Sequence, residues 1–274
     1  MDKLNFLTAG MPLSNGNKGY DNAFKILEDM TLDGMELEFV HGVRISETSK
    51  KTVNETNLIK TAHAPFYINL NSKEEEKVEA SVQRIIETAN VTNELGGYSI
   101  TFHAGFYMGN SKEETYAKIR EQIKKITDEL EKTGNKIWIR PETTGKATQW
   151  GDLKEIIKLS KEFEYVLPCV DFSHLHARYN GSHNTYDEFA QMLELIGKEL
   201  GDVAINNFHA HLAGIDYSSK GEKRHLNLEE SDMNYKDLLR ALKDFNVKGA
   251  LVCESPNIES DCLLLKQCYA TLLA

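Results

Sequence analysis

A chain of 274 residues with 41% hydrophobic residues, 27% charged residues and only 5 prolines is an ordinary globular composition, which excludes disordered and collagen-like classes. Its net charge of −10 argues against a broad electrostatic footprint for nucleic acid and leaves only a local basic rim or bound cations to attract phosphates. No run approaches the ~18 consecutive apolar residues of a membrane span, and the start Met1-Asp2-Lys3-Leu4-Asn5 has no apolar secretion segment, so the expected location is cytoplasmic with no membrane contact.

From the N-terminus, short apolar or β-branched runs alternate eight times with longer segments of helical period, without a composition break. The predicted strands are Leu4–Ala9, Met35–Val40, Leu58–Ala64, Tyr98–Ala104, Lys136–Pro141, Tyr165–Val170, Ala204–Ala210 and Gly249–Cys253. The predicted helices lie near residues 21–31, 46–56, 73–95, 112–133, 150–162, 185–200, 234–245 and 258–272. Ser72 with Glu75 and Ser111 with Glu114 fit the capping box that starts the third and fourth helices, and Gly96-Gly97 and Gly134 end them. Eight such units predict an α/β fold, a single (β/α)8 TIM barrel spanning 1–274 as one domain, with its chemistry at the C-terminal ends of the strands. No G-x-G-x-x-G or Walker pattern follows a strand, so no nucleotide cradle is expected. The 4 cysteines, Cys169, Cys253, Cys262 and Cys268, have no C-x-x-C spacing and read as reduced, mostly buried thiols.

The sixth strand breaks into Asp171-Phe172-Ser173-His174, which offers an oxygen and an imidazole to one pocket. Alone, D-x-x-H more often marks a hydrogen-bonded loop pair than a metal site. Repetition gives it weight. The ends of strands three to eight carry, in turn, His63, His103, Glu142, Asp171 with His174, His211, and Glu254, whereas helix caps and loops alone would favour Ser, Thr, Asn and Asp. Seven of the 9 histidines, including His176, His209 and His225, lie in or just beyond strand ends. In a barrel those ends converge on one mouth. Imidazole plus carboxylate without thiolate suits Zn²⁺ and tolerates Mn²⁺ or Fe²⁺, and six or more ligands exceed what one tetrahedral ion needs. Two metals at least are inferred, bridged by a shared carboxylate such as Glu142.

Two close metals suit phosphodiester hydrolysis. A single ion on Glu142, Asp171, His211 and Glu254 would instead suit hydrogen transfer between carbons of a sugar, and would leave His63, His103 and His174 without a task.

The segments His63-Ala64-Pro65-Phe66-Tyr67-Ile68-Asn69-Leu70, Phe102-His103-Ala104-Gly105, Glu142-Thr143-Thr144-Gly145, Asp171-Phe172-Ser173-His174, His211-Leu212 and Glu254-Ser255-Pro256 together resemble the endonuclease IV family of apurinic/apyrimidinic endonucleases, within the xylose-isomerase-like barrels. The resemblance runs the length of the chain. It implies a zinc-dependent endonuclease of DNA base-excision repair that cuts double-stranded DNA on the 5′ side of abasic sites, expected to act as a monomer. By position, His63, His103 and Glu142 would hold the first zinc, with Glu142 bridging to a second on Asp171, His211 and Glu254. Glu254 would also orient or deprotonate the attacking water, making Glu142 and Glu254 the catalytic carboxylates. A third zinc would rest on His174 and the family's D-x-H motif in the loop after strand seven.

There the chain departs from the family. Aligned as Lys223-Arg224-His225, the motif keeps its histidine but places a cation where the carboxylate belongs. Either Glu222 or Asp216 reaches in as a substitute, or the site holds two ions and Lys223 contacts phosphate. For DNA contact the resemblance points to Phe66 as the inserted aromatic and Arg44 as the inserted arginine, against the plain alternatives of barrel-rim core for Phe66 and an ordinary surface cation for Arg44. His176, Arg178, Lys146 and Lys220 are further phosphate candidates that fit solvated loop residues better, and His209 is expected either to support the site or to be simply buried and hydrogen-bonded, and not to ligate. The rival expectations are a single-metal sugar isomerase or epimerase of the same barrel superfamily and a barrel that has lost catalysis.

Overall fold

The computed structural model describes residues 1–272. Eight parallel strands make one sheet: β1 (Leu4–Ala9), β2 (Gly34–Glu38), β3 (Ile59–His63), β4 (Ser99–Phe102), β5 (Trp138–Pro141), β6 (Val170–Asp171), β7 (Phe208–Leu212) and β8 (Gly249–Cys253), in the order β5-β4-β3-β2-β1-β8-β7-β6. The two ends of that order also meet. Ile139 N–H donates to Tyr165 O (2.8 Å), Cys169 N–H to Pro141 O (3.0 Å) and Thr143 N–H to Cys169 O (3.1 Å), which closes the ring as a TIM barrel and leaves no free edge between β5 and β6.

Alternation along the strands divides the residues between an outer apolar layer and the barrel lumen. Outward residues pack beneath helices such as Lys112–Lys132, whose Ile119, Ile123, Ile126 and Leu130 recur at helical spacing on its buried face. The expected capping box starts that helix: Glu114 N–H donates to Ser111 Oγ (3.1 Å), and Ser111 N–H to Glu114 Oε2 (2.8 Å). Inward, the N-terminal end of the lumen is filled by Leu7, Ala250 and Val252 with Ile59 and Tyr98. Next comes Arg140, which lies against the Tyr98 and Trp138 rings and donates to Pro168 O and Asn207 O. Toward the C-terminal end the lumen turns to carboxylates and imidazoles. Cys169, Cys253 and Cys262 are free and buried, Cys268 is free and half-buried, and among the described residues no helix is long and apolar enough to cross a membrane.

Several expectations need correction. The helix expected to start at Ser72 begins at Glu75 with no side-chain cap; Ser72 sits in a turn closed on Asn69 O, and its hydroxyl accepts from Glu74 N–H. The sixth strand, expected over Tyr165–Val170, pairs regularly only at Val170–Asp171, because Tyr165 has a φ of 60° and Pro168 has no N–H to give the ladder. The seventh, expected from Ala204, starts at Phe208, since Asp202–Asn206 coil into a short helix. The fifth helix starts at Leu153, because Gln149–Trp150 pair antiparallel with Gly105–Phe106. Additional elements bear on the site: the helix Phe172–Arg178 directly after β6, and an antiparallel hairpin of Gly214–Ser218 with Gly221–Leu226 where a loop was expected after β7.

Gly249 opens β8 with a φ of +140°, and a Cβ there would stand 2.0 Å from Phe208 O. Gly249→Ala is expected to cost about 3 kcal/mol, from backbone strain plus the clash. Gly134→Ala, with a φ of +70° but nothing within 4 Å, should cost about 1 kcal/mol. Thermal denaturation of both variants checks the β7–β8 register; equal melting temperatures would contradict it.

Candidate metal centre

The chain delivers its polar groups to the mouth by simple local rules. His211 and His209 alternate inward on β7, His63 ends β3, and Glu142 follows Pro141 at the end of β5 with its N–H held by Phe102 O. Asp171 combines two roles. Its Oδ1 accepts from His174 N–H (2.7 Å) as the N-cap of helix Phe172–Arg178, which places His174 one turn along on the same face, with Oδ2 3.1 Å from His174 Nδ1 and without a hydrogen-bond partner. Glu254 follows β8, and the hairpin strand Gly221–Leu226 carries His225 over the mouth.

Everything converges on Glu142, whose carboxylate is 1% exposed. Its Oε2 lies 3.3 Å from both His63 Nε2 and His103 Nε2, while Oε1 lies 3.1 Å from His174 Nδ1 and 3.4 Å from His211 Nδ1. His211 Nδ1 is also 3.3 Å from Glu254 Oε1. Besides a deeper set of Cys169, His209 and His211, three donor sets result at the mouth, each with ligand atoms within 4.8 Å of one another: His63, His103 and Glu142; Glu142, Asp171, His211 and Glu254; and Asp171, His174 and His225. The first two share Glu142, the last two Asp171.

Three imidazoles face a fixed partner with one nitrogen and the shared space with the other, while His174 Nδ1 faces Thr143 O together with Glu142 and Asp171 and its Nε2 faces His225 and Glu222. His63 Nδ1 meets Ala64 O at 2.7 Å, His174 Nδ1 meets Thr143 O at 3.0 Å, His225 Nδ1 meets Glu254 O at 3.3 Å, and His211 Nε2 lies 2.9 Å from Glu36 Oε1. Carbonyl partners accept only, so those nitrogens carry the proton, and the opposite nitrogens keep lone pairs. His174 Nε2 and His225 Nε2 then stand 3.4 Å apart. Both Glu142 oxygens, Asp171 Oδ2, Glu254 Oε2 and His211 Nδ1 are buried without a hydrogen-bond partner, as are Glu36 Oε1, His209 Nε2 and His211 Nε2 just below them. Buried acceptors facing imidazole lone pairs are satisfied by positive charge between them, a proton on the ring or a metal ion. The donor types and the orphaned atoms fit divalent metal ions.

Titration points the same way. Burial works against a charged His63, but Glu142, Glu38 and Glu36 outweigh it and hold its pKa at about 10. His174 and His211 are likewise held well above the ordinary value, against burial, by the surrounding acidic groups. Burial would raise Glu142, yet His103 and His211 keep it well below the usual carboxylate range. Asp171 is pushed up to about 6 by burial, only partly opposed by His174. Without metal the cluster keeps its charge balance by holding protons.

At the third set, Lys223 turns away from the cluster. Its Nζ is 3.3 Å from Asp216 Oδ1, and Asp216 also faces Arg224, so Asp216 does not reach in as a substitute ligand. Glu222 does reach in. Its Oε2 is 3.6 Å from His174 Nε2, its N–H bonds Gly145 O (3.0 Å), and a Cβ on Gly145 would strike Glu222 Oε2 at 2.6 Å. Phe66 (62% exposed) and Tyr67 (67%) stand at the rim, with the Phe66 ring 5.9 Å from that of His63, and Arg44 is exposed. Two phosphate candidates are corrected. His176 is fully buried between Ser182 O and Asp232, and Arg178 clamps the loop carbonyls of Thr144, Lys146 and Gln149; neither is offered to a ligand. Lys220 is exposed and Lys146 half-buried.

The sequence reading overlooked Glu36. It is 0% exposed, and its carboxylate touches both His209 Nε2 (3.0 Å) and His211 Nε2 (2.9 Å). The available signal was Met35-Glu36-Leu37-Glu38-Phe39, where two carboxylates share one face of an otherwise apolar strand.

A family profile described as xylose isomerase-like TIM barrel matches residues 24–268. An uncharacterized protein of Methanocaldococcus jannaschii is 48% identical over 97% of each chain. A Mycoplasma pneumoniae protein named probable endonuclease 4 is 25% identical over 71% of this chain and 67% of its own length. Among solved structures, a D-tagatose 3-epimerase-like protein superimposes with a TM-score of 0.73 at 19% identity, covering 96% of this chain and 94% of its own. Endonuclease IV from Thermus thermophilus superimposes at 0.70 and 17% identity, covering 98% and 97%. At these identities the superpositions speak to the fold alone.

The raised histidine values fix the sign of a pH effect. A folded-state pKa above the ordinary 6.5 gives metal-free protein stability that is present below pH 6.5 and lost as pH rises through about 10. The melting temperature of metal-free protein is therefore expected to fall across that window. Zinc, which must displace those protons, should raise it most at the alkaline end and bind more weakly as pH falls. Differential scanning calorimetry with and without zinc at several pH values checks this; a zinc effect independent of pH would contradict it.

Proposed function

The chain belongs to the xylose isomerase-like TIM barrel family, and from that premise we propose that it is a metal-dependent phosphodiesterase of DNA base-excision repair, cutting double-stranded DNA 5′ to abasic residues. The observation that carries this reading is the division of Glu142, one oxygen toward His63 and His103 and the other toward His174 and His211. A single-ion site needs only Glu142, Asp171, His211 and Glu254. The additional imidazoles are accounted for when the centre is multinuclear.

In this reading His63, His103 and Glu142 hold one ion, and Glu142, Asp171, His211 and Glu254 a second; zinc suits this mixture of imidazole and carboxylate. Bound there, divalent cations supply Lewis acidity for the phosphoryl group and acidify water. The third set takes its carboxylate from Glu222, the neighbour of Lys223, alongside Asp171, His174 and His225. Glu254, whose Oε2 is buried and unpartnered, orients the attacking water and takes its proton. The water oxygen bonds to phosphorus as the bond to the 3′ oxygen breaks. The departing 3′ oxygen gains a proton from solvent, and the phosphate stays on the abasic sugar. Phe66 supplies an exposed ring to stack in the gap left by the missing base, and Arg44 and Lys223 face the backbone. The protein acts as a monomer built from one domain.

A second reading, a single-ion sugar isomerase or epimerase, has one observation in its favour. The chain charge of −10 disfavours approach of a phosphate backbone and leaves an uncharged sugar unaffected.

Incision of a duplex carrying one abasic site tests the proposal. Zinc-loaded protein should cut 5′ to the site and lose activity in EDTA, Glu254→Gln should lower kcat by about 10³-fold, and His63→Ala should also lose activity. Absence of incision by fully loaded protein, with turnover of ketoses that survives His63→Ala, would establish the isomerase reading instead.

A further inference from the structure

Beneath the metal centre lies a second polar layer, closed to solvent, that ligand binding and hydrolysis as described do not use. Glu36 on β2 crosses the lumen to β7 and is fully buried. Its Oε1 lies 2.9 Å from His211 Nε2 and its Oε2 lies 3.0 Å from His209 Nε2. Thr61 on β3 donates its hydroxyl to Oε2 (2.6 Å), and the far nitrogen of His209, Nδ1, meets Ser99 Oγ on β4 (2.9 Å). Four strands thus contribute to one arrangement whose end is His211.

A buried carboxylate between two imidazoles in a lumen otherwise filled by Leu7, Val252 and Tyr98 is costly to desolvate, and hydrophobic residues of similar volume would fill the space at less cost. A role in folding alone explains it poorly. Its geometry relative to His211 gives a better account. His211 turns Nδ1 toward Glu142 Oε1 (3.4 Å) and Glu254 Oε1 (3.3 Å), and the carboxylate stands at the opposite nitrogen. The contact is an ion pair rather than an aligned hydrogen bond, since Glu36 Oε1, His209 Nε2 and His211 Nε2 have no hydrogen-bond partner, and a carboxylate 2.9 Å away favours the tautomer protonated at Nε2 and leaves Nδ1 as the donor.

We propose that Glu36 is a positioning residue that commits His211 to bind metal through Nδ1, with Thr61 and His209 holding Glu36 in place. This rests on the metal-dependent reading above. It predicts an asymmetry that the ligands alone do not. Glu36 acts on the set Glu142, Asp171, His211 and Glu254, whereas His63 and His103 lean on Ala64 O and Glu142 and do not touch Glu36.

The test is metal affinity, measured by chelator competition with Zn²⁺ and by the visible spectrum of the Co²⁺-loaded protein, for wild type, Glu36→Gln and Thr61→Val. Glu36→Gln is expected to weaken one class of ion by about 10- to 100-fold and alter its Co²⁺ bands, leaving the other class in place; Thr61→Val should shift the same class by a few-fold. Thr61→Val keeps the carboxylate and the test should Glu36→Gln fail to fold. Two results overturn the proposal: variants that bind both classes like wild type while the metal-free melting temperature drops, which makes Glu36 purely structural, or loss of an ion whose Co²⁺ spectrum carries a thiolate band. The second would place a metal among Cys169, His209 and His211, whose donor atoms also lie within 4.8 Å of one another. If wild type bound no metal at all, the underlying metal reading would fall instead.

Discussion

A carboxylate with no access to water and four imidazole nitrogens around it sets the terms for this molecule. Glu142 sits within 3.4 Å of His63, His103, His174 and His211, and neither of its oxygens has a hydrogen-bond partner. Such a group is tolerable only when positive charge is placed against it, as protons on the histidines or as metal ions. The barrel makes the crowding possible. Residues separated by more than a hundred positions in sequence meet because strand ends converge, and the closure of β5 onto β6 through Cys169 and Pro141 brings Glu142 alongside Asp171.

The same carboxylate links the proposed activity to the fold. Because its oxygens face different donor sets, two ions held there would be coupled through one side chain. The deeper layer of Glu36, His209, Thr61 and Ser99 extends this logic into the lumen, where polar groups occupy space that an inert barrel would fill with Leu and Val. Between the apolar plug of Leu7, Ala250 and Val252 and the open mouth, the interior grades from packing to chemistry along the strand direction.

Much of this was legible in the sequence, for identifiable reasons. Eight alternations of apolar run and helical period specify the barrel, and β1 and β8 fall at the expected residues because their runs are apolar and bounded by polar or glycine residues. Clustering of histidine and carboxylate at strand ends marks the mouth, since capping and solubility do not select imidazole. Other features were hidden. The strand Gly221–Leu226 is Gly-Glu-Lys-Arg-His-Leu, too polar to announce itself, and its register decides that Glu222 reaches the cluster while Lys223 does not. The helix Phe172–Arg178 was masked because Asp171 reads as either a cap or a ligand, and it serves as a cap whose second oxygen has no hydrogen-bond partner. Glu36 escaped notice because nothing in a strand's own sequence tells which lumen neighbour its side chain will meet. His176 and Arg178 misled for the opposite reason: basic residues near a mouth resemble phosphate binders until the loop they clamp is seen.

The most direct measurement is a crystal structure of the zinc-loaded protein with anomalous scattering recorded at the zinc edge. The account predicts at least two peaks roughly 3.5–4 Å apart on either side of Glu142, one near His63 and His103 and the other near Asp171, His211 and Glu254. A single peak, with Glu142 bound through one oxygen and His63 and His103 left unliganded, would contradict it and assign the barrel to single-metal chemistry.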